Sequence, residues 1–429
     1  MSLELTLGLL ALFGTAAIGT PVAYSIIVGV VVYLGVAGQD IAIAGETMVQ
    51  RLYDGFLLLA VPLFIVSANI MNAGTISDRL LKFCIALVGG LRGGLGHVNV
   101  VASLIFSGMS GSAVADAAGI GKIIIDMMVK SGLYTRGYAA AITAATATIG
   151  PIIPPSIPMV LYALVSNTSI TSLFLGGIIP GLLMGAVLMA MNAWISHKRK
   201  FGKQSHIVFA ELPSVTVKAM PALMMPVILL TGIYSGVTTP TEAAAVAALY
   251  ALVVAAGLYR ALKLRTLYEV FVESARSAAS VGLVIGASMI LTYVVIQENI
   301  PQTISTLMAG TEISPLIFLL LVNILVLALG CILDATVIIL VIVPLFIPTC
   351  NALGIDLVHF GVLVVVNSMI GLITPPYGIL LFVISAVTRI PLVEIIREIW
   401  GFLAVLLIAL LTMIMLPDLI LWLPRSLGY

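Results

Sequence analysis

Charge is what this chain lacks most. Only 9% of its 429 residues are Asp, Glu, Lys or Arg, against roughly 25% in soluble domains. No stretch is polar enough to fold as a water-soluble head, which excludes an attached enzyme or nucleic-acid module. The net charge of +1 likewise offers no field for a polyanionic partner. Cysteine is scarce as well: Cys84, Cys331 and Cys350 have no paired spacing and no accompanying histidines, so neither a disulfide framework nor a zinc site is expected. There is no His-Glu-x-x-His motif and no Ser/His arrangement, which argues against an intramembrane enzyme. The glycine-rich "GGLRGGLG" (89–96) and "GIGK" (119–122) lack the Gly-x4-Gly-Lys-Ser/Thr spacing of a phosphate loop and read as close helix packing. The start, "MSLELTLGLL", carries Glu4 and no basic leader, so it reads as the beginning of a first span and not as a cleaved signal.

Apolar residues fill the space. Hydrophobic side chains make up 61% of the chain and the mean hydropathy is +1.24. Runs near the ~20 residues needed to cross ~30 Å of hydrocarbon recur along the whole length. The expected fold is therefore an all-α polytopic membrane protein of about 10 full spans.

Two of these apolar segments are interrupted by prolines: "IGPIIPPSIP" (149–158) and, 221 positions later, "IGLITPPYG" (370–378). Further matches keep nearly the same offset. "GTP" at 19–21 answers "TTP" at 238–240, and "SGSAVAD" ending at Asp116 answers "GCILD" ending at Asp334. Three matches in one order indicate an internal duplication, with halves at 1–205 and 206–429. Lys and Arg in short loops mark the cytoplasmic side, and "HKRKFGKQSH" (197–206) is the strongest such anchor. Counting spans from it makes 93–131 a re-entrant hairpin with its tip at 107–112. A second hairpin, over 314–350, has its tip at 330–334. Broken spans follow at 136–166 and 358–388. Scaffold helices occupy about 1–75 and 219–300, the latter as spans at 219–235, 240–258 and 277–297, with a turn at Asn167 to Ile170 and further spans at 172–196 and 401–424. This arrangement puts all but three of the nineteen basic residues in the cytoplasm (Arg51, Lys122 and Arg425 are the exceptions) and leaves the amino terminus periplasmic. An odd number of spans per half makes the second copy inverted.

A helix broken inside a membrane exposes backbone groups that lipid cannot satisfy, so paired breaks point to a transport site. The first tip offers the hydroxyls of Ser107, Ser110 and Ser112, and its break offers carbonyls of Gly150, Ile153 and Pro155 with the hydroxyl of Ser156. The second offers the Gly330 carbonyl and the Asp334 carboxylate, with Thr374 and carbonyls near Gly371 and Pro376. Hard oxygen sets of this kind suit Na+, while helix amino termini attract a carboxylate. Asp116 and Asp334 are matching intramembrane acids and hence functional candidates. For Asp116 an ion pair with Lys122 is an equal alternative, and Asp126 can pair with the same lysine. Glu242, just after Thr239-Pro240, reads as a helix cap. An ion or water channel built on re-entrant hairpins is the rival reading of the same pattern.

At "SGMSGSAVADAAGIG", "GPIIPPSIPMVLYA" and "CILDATVIILVIVPLFIPTCNALGID" followed by "TPPYGILLFV", the sequence resembles the large membrane subunit of tripartite ATP-independent periplasmic (TRAP) transporters, the DctM-like permease. The resemblance covers essentially the whole chain, and it is the three motifs together that are specific. It implies a Na+-coupled secondary importer of organic acids, of the sialic acid or C4-dicarboxylate class, in a bacterial inner membrane. It also implies an elevator fold, in which a scaffold braces a moving domain made of hairpins and broken helices. The Na+ sites would fall at 107–112 with 150–156 and at 330–334 with 371–376. Substrate would lie between the hairpin tips, near Ser156 and Asp116. The implied partners are a soluble periplasmic substrate-binding protein and a small four-helix membrane subunit, expected as a separate chain.

Overall fold

A computed structural model describes residues 2–73, 76–202, 212–260, 262–303 and 314–429. The expected boundary between halves at 205/206, and Lys203 and His206 of the basic loop, lie outside the described residues. Among those described, regular structure is helical throughout and no strand occurs.

The chain opens with α1 (Leu3–Ala17) and α2 (Val22–Val36), which pack closely on each other. Gly8 and Gly29 let their backbones touch: a Cβ on Gly29 would sit 2.8 Å from Leu12 Cβ and 2.9 Å from Gly8 O. Next come α3 (Ala42–Asp54), α4 (Ala60–Ala73) and α5 (Ile76–Val88). The segment expected as the first hairpin forms α6 (Gly94–Ser110), a short α7 (Ala113–Asp116), a π-helical stretch over Ala117–Gly121 and α8 (Lys122–Lys130), with α8 packing back on α6. The reversal falls at Gly111, which has φ +59°, where only glycine is unstrained, and at Ser112, whose hydroxyl caps α7. The expected tip began at Ser107. The helix instead continues to Ser110 and ends at the left-handed Gly111, and the Ser107 hydroxyl folds back onto the Leu104 carbonyl of its own helix at 2.6 Å.

The first proline-broken segment is α9 (Arg136–Ala147), an irregular stretch, and α10 (Ile157–Ser166). The long α11 (Ile170–Lys198) follows a turn in which Asn167 takes φ +54°. At its end, Arg199 binds Glu398 through two hydrogen bonds of 2.9 and 2.6 Å, which raise the guanidinium pKa above its ordinary value.

The second part begins with α12 (Leu212–Tyr234), paired with α13 (Pro240–Leu252), whose helix runs on through a π-helical stretch to Leu258. Glu242 and Thr239 form a reciprocal capping box at its start, the capping role expected of Glu242. The span expected at 277–297 is longer: α14 (Leu264–Gln297) has 34 residues. Its charged beginning, Arg265 to Arg276, is helical too, with Arg265 paired to Glu269 at 3.1 Å. Then come α15 (Pro315–Gly330), a turn, α16 (Ala335–Val337), irregular helix to Leu345, and α17 (Ile347–Ala352). The second broken segment is α18 (Leu357–Gly371) with α19 (Ile379–Thr388), and the chain ends in α20 (Leu392–Met415) and α21 (Asp418–Ser426). The span expected at 401–424 is thus split in two, since Pro417 cannot continue the α20 ladder.

Among the described residues, five helices are long and apolar enough to cross a bilayer alone: α11, α12, the 240–258 helix, α14 and α20. The other apolar helices are 10–17 residues long, and several of them are half-length pieces joined through the breaks. Two packing units result. One small core gathers α1 and α2 with the second half of α14, and a much larger one holds the hairpin-like segments and both broken helices.

Candidate functional site

Each broken segment is held by the helix before it. Gly111 at the first reversal lies so close to the first break that a Cβ there would be 2.5 Å from the Pro155 carbonyl oxygen. At the second, Gly330 and Gly371 touch backbone to backbone, a Cβ on Gly371 falling 2.7 Å from Gly330 Cα. The Gly378 amide donates to the Cys331 carbonyl at 3.1 Å. Both breaks contain a cis Pro-Pro bond, Pro154–Pro155 and Pro375–Pro376.

Buried amides fasten the same elements farther down. Asn99 on α6 donates to Thr143 Oγ1 on α9 at 2.6 Å and accepts from Thr146 Oγ1 at 3.1 Å. Asn367 on α18 donates to Asn323 Oδ1 on α15 at 2.8 Å. Each pair is separated by 44 residues, and the second stands 224 positions after the first. These residues escape a search for charged groups. The signal that finds them is a lone amide in an apolar helix recurring at nearly the repeat offset.

The candidate residues of the first region divide. Asp116 is 4% exposed; its Oδ1 accepts from Ser110 Oγ at 2.5 Å, and its Oδ2 has no partner. A side chain on Gly150 would collide with that Oδ2. Ser110, Asp116 and Gly150 are therefore together, with Gly111 and Pro155 in contact alongside. The ion pair of Asp116 with Lys122 is not formed: Lys122 is exposed and, among the described residues, neither it nor Asp126 makes a salt bridge. Ser107 bonds its own helix, Ser112 caps α7 at Ala115 N (3.3 Å), and Ser156 caps α10 at Met159 N (3.2 Å) while also donating to the Pro151 carbonyl. The Ile153 side chain packs against Gly181.

In the second region, Gly330 and Gly371 meet as described, and Thr374 Oγ1 donates to the Ile370 carbonyl at 2.8 Å. Asp334 is exposed and caps α16, its Oδ1 accepting from Thr336 N at 2.8 Å. Pro376 lies in the cis Pro-Pro bond of the break.

Between the two regions is a cleft of about 210 Å³, lined from one side by Ser112, Ala113, Ile157 and Pro158 and from the other by Asp334, Ala335, Thr336 and Leu372. Val281 of α14, which packs against the larger core, also lines it. Three helices start at its wall, with Ala113, Ile157 and Ala335 as their first residues. The amide ends of α7 and α10 supply positive partial charge suited to a carboxylate, while that of α16 is already met by Asp334. Asp334 beside them would repel that carboxylate unless a cation stands with it. Neither Asp116 nor Ser156 lines this cleft; Asp116 belongs instead with Ser110 and Gly150. Among the described residues no three His, Cys, Asp or Glu converge as for a transition metal.

Among the described residues, an all-helical fold with half-length helices meeting at paired breaks around a cleft is the architecture of a multi-pass membrane transporter. The fold is shared with the crystal structure of the Alcanivorax borkumensis YdaH transporter, at a TM-score of 0.64 over 89% of each chain and 15% identity. The family model for the DctM component of tripartite ATP-independent periplasmic transporters matches residues 9–419, and the chain belongs to that family. It is 40% identical over 96% of both chains to the sialic acid TRAP transporter large permease protein SiaM of Vibrio cholerae. It is 41% identical to the C4-dicarboxylate TRAP transporter large permease protein DctM of Pseudomonas aeruginosa, over 87% of this chain and 88% of that one. The 2,3-diketo-L-gulonate TRAP transporter large permease protein YiaN of Escherichia coli is 36% identical over 95% of this chain and 96% of its own. The chain is thus a transporter permease and not an enzyme.

Proposed function

We propose that this chain imports an organic acid, of the sialic acid or C4-dicarboxylate class, by Na+ symport across a bacterial inner membrane, its amino terminus in the periplasm. A periplasmic binding protein delivers the substrate, and a small four-helix membrane subunit on a separate chain completes the assembly. The chain is two inverted repeats, 1–205 and 206–429, and the regions at 93–166 and 314–388 move as an elevator against the scaffold helices.

The observation that carries this reading is the cleft itself. The helix amino termini of α7 and α10 make it attractive to a carboxylate, and Asp334 at its wall favours an accompanying cation. The first ion would be held by the free Asp116 oxygen with Ser110 and the carbonyls around Gly150 and Pro155. A second would be held by Asp334 with the carbonyls near Gly330, Gly371 and Pro376. Both are hard oxygen sets that fit Na+. Substrate names in the relatives support the organic-acid class, and the matched amide pairs support the repeat.

Liposomes containing the purified permease with its two partners test this. Uptake of a radiolabelled organic acid should concentrate it only under an inward Na+ gradient. Uptake that survives collapse of that gradient would refute symport, and a continuous conductance without saturable, partner-dependent uptake would establish a channel.

A further inference from the structure

The ends of three helices meet at a groove that shares no lining residue with the cleft. Asp78, Arg79 and Lys82 of α5 line it with Val215 and Lys218 of α12, around a volume of about 440 Å³. Tyr259, just past the end of the 240–258 helix, contacts two of these residues. The Arg79 guanidinium lies over its ring at 4.0 Å, and its hydroxyl donates to the Lys218 carbonyl at 2.8 Å. Because α12 and the 240–258 helix are both span-length and antiparallel, this places the groove at one membrane surface, at headgroup depth.

The charge is unbalanced. Among the described residues, Asp78 is the sole acid in the lining, and Arg79, Lys82 and Lys218 make no salt bridge. Three cations held together against a single acid leave an excess of positive charge that repels itself, and the tyrosine fixes one of the cations in place at further cost in side-chain freedom. Next to Lys218, Val217 and Met220 are 73% and 48% exposed, so apolar surface adjoins the cations.

We propose that this groove binds a phosphate group, and that the phosphate belongs to the headgroup of an anionic phospholipid. A guanidinium and two ammonium groups can surround phosphate oxygens with charge-assisted hydrogen bonds. The exposed valine and methionine lie where acyl chains descend, which a free phosphate would leave uncovered. Basic pockets between membrane helices are suited to such lipids. The site requires only that the chain sits in a bilayer, so its test is independent of Na+ coupling and of the transported acid.

The experiment uses the full chain purified in a mild detergent, with native mass spectrometry and thermal unfolding as readouts. Phosphatidylglycerol, phosphatidylcholine and inorganic phosphate are compared on the wild type and on the triple variant Arg79→Gln, Lys82→Gln, Lys218→Gln. Arg51→Gln with Lys130→Gln and Arg397→Gln serves as a control of equal charge loss elsewhere. The proposal expects phosphatidylglycerol to be retained and to raise Tm in the wild type and the control. In the groove variant its relative affinity should fall about 100-fold, the combined attraction of three cations for an anionic headgroup. Equal retention in the groove variant and the control would overturn the site. Protection by inorganic phosphate with no preference for phosphatidylglycerol would overturn its assignment to a lipid. Should the triple variant fail to fold, Lys82→Gln with Lys218→Gln, both exposed, gives the same comparison.

Discussion

A buried carboxylate oxygen with no partner is costly, since even a neutral polar group left unsatisfied costs about 1–3 kcal/mol. Asp116 Oδ2 is such an atom, and an ion beside it would offset that cost. Asp116→Asn keeps an oxygen for Ser110 but removes the charge, so the Na+ concentration for half-maximal uptake should rise more than tenfold, with the protein still folded by thermal unfolding. An unchanged Na+ response would make Asp116 a packing residue. Asp334→Ala is expected to behave differently. It removes a cap worth about 1 kcal/mol from an exposed position, so Tm should fall only slightly while Na+ affinity falls markedly. Wild-type Na+ dependence there would reduce Asp334 to its capping role. What the sequence could not show at this scale is the division among the serines. A hydroxyl in a glycine-rich stretch reads as free, yet Ser107, Ser112 and Ser156 all bond backbone. Only Ser110 reaches across the turn to Asp116, a meeting set by three-dimensional closure at Gly111.

The amide pairs act on whole elements, tying α6 to α9 and α15 to α18. Thr143→Val is nearly isosteric and leaves the Asn99 amide without its acceptor, so it should destabilise by about 1–3 kcal/mol, read as a lower Tm in detergent. Adding Asn99→Leu should cost less than the sum of the two single changes, the mark of a direct pair; additive effects would show that the two residues act separately. Element positions were largely open to sequence reading, because proline and glycine punctuate a chain in which almost everything else is apolar. The breaks near Pro154 and Pro375 and the turn at Asn167 stand where the pattern puts them. The early part of α14 was hidden for a physical reason. Hydropathy reports where lipid is, while a helix forms equally well from Arg265, Glu269 and their neighbours in the aqueous interface.

At the scale of the molecule, α14 adds one residue, Val281, to the cleft, and the remaining wall comes from the unit of hairpin-like and broken-helix segments. If that unit slides during transport, fixing it to α14 must stop uptake. With the three native cysteines replaced, Val281→Cys combined with Ala335→Cys should lose uptake on oxidation and regain it on reduction. Uptake in a fully cross-linked protein would contradict the elevator. The helix that carries Val281 has a further consequence. At 34 residues and 1.5 Å each it is about 51 Å long, against ~30 Å of hydrocarbon. A tilt of the usual ~20° cannot absorb the difference, so its charged beginning must project beyond the lipid on one face. The permease thereby acquires a strut whose resting angle follows bilayer thickness. In vesicles of progressively longer acyl chains the transport rate should pass through a maximum, set by how well the apolar part of that strut matches its surroundings.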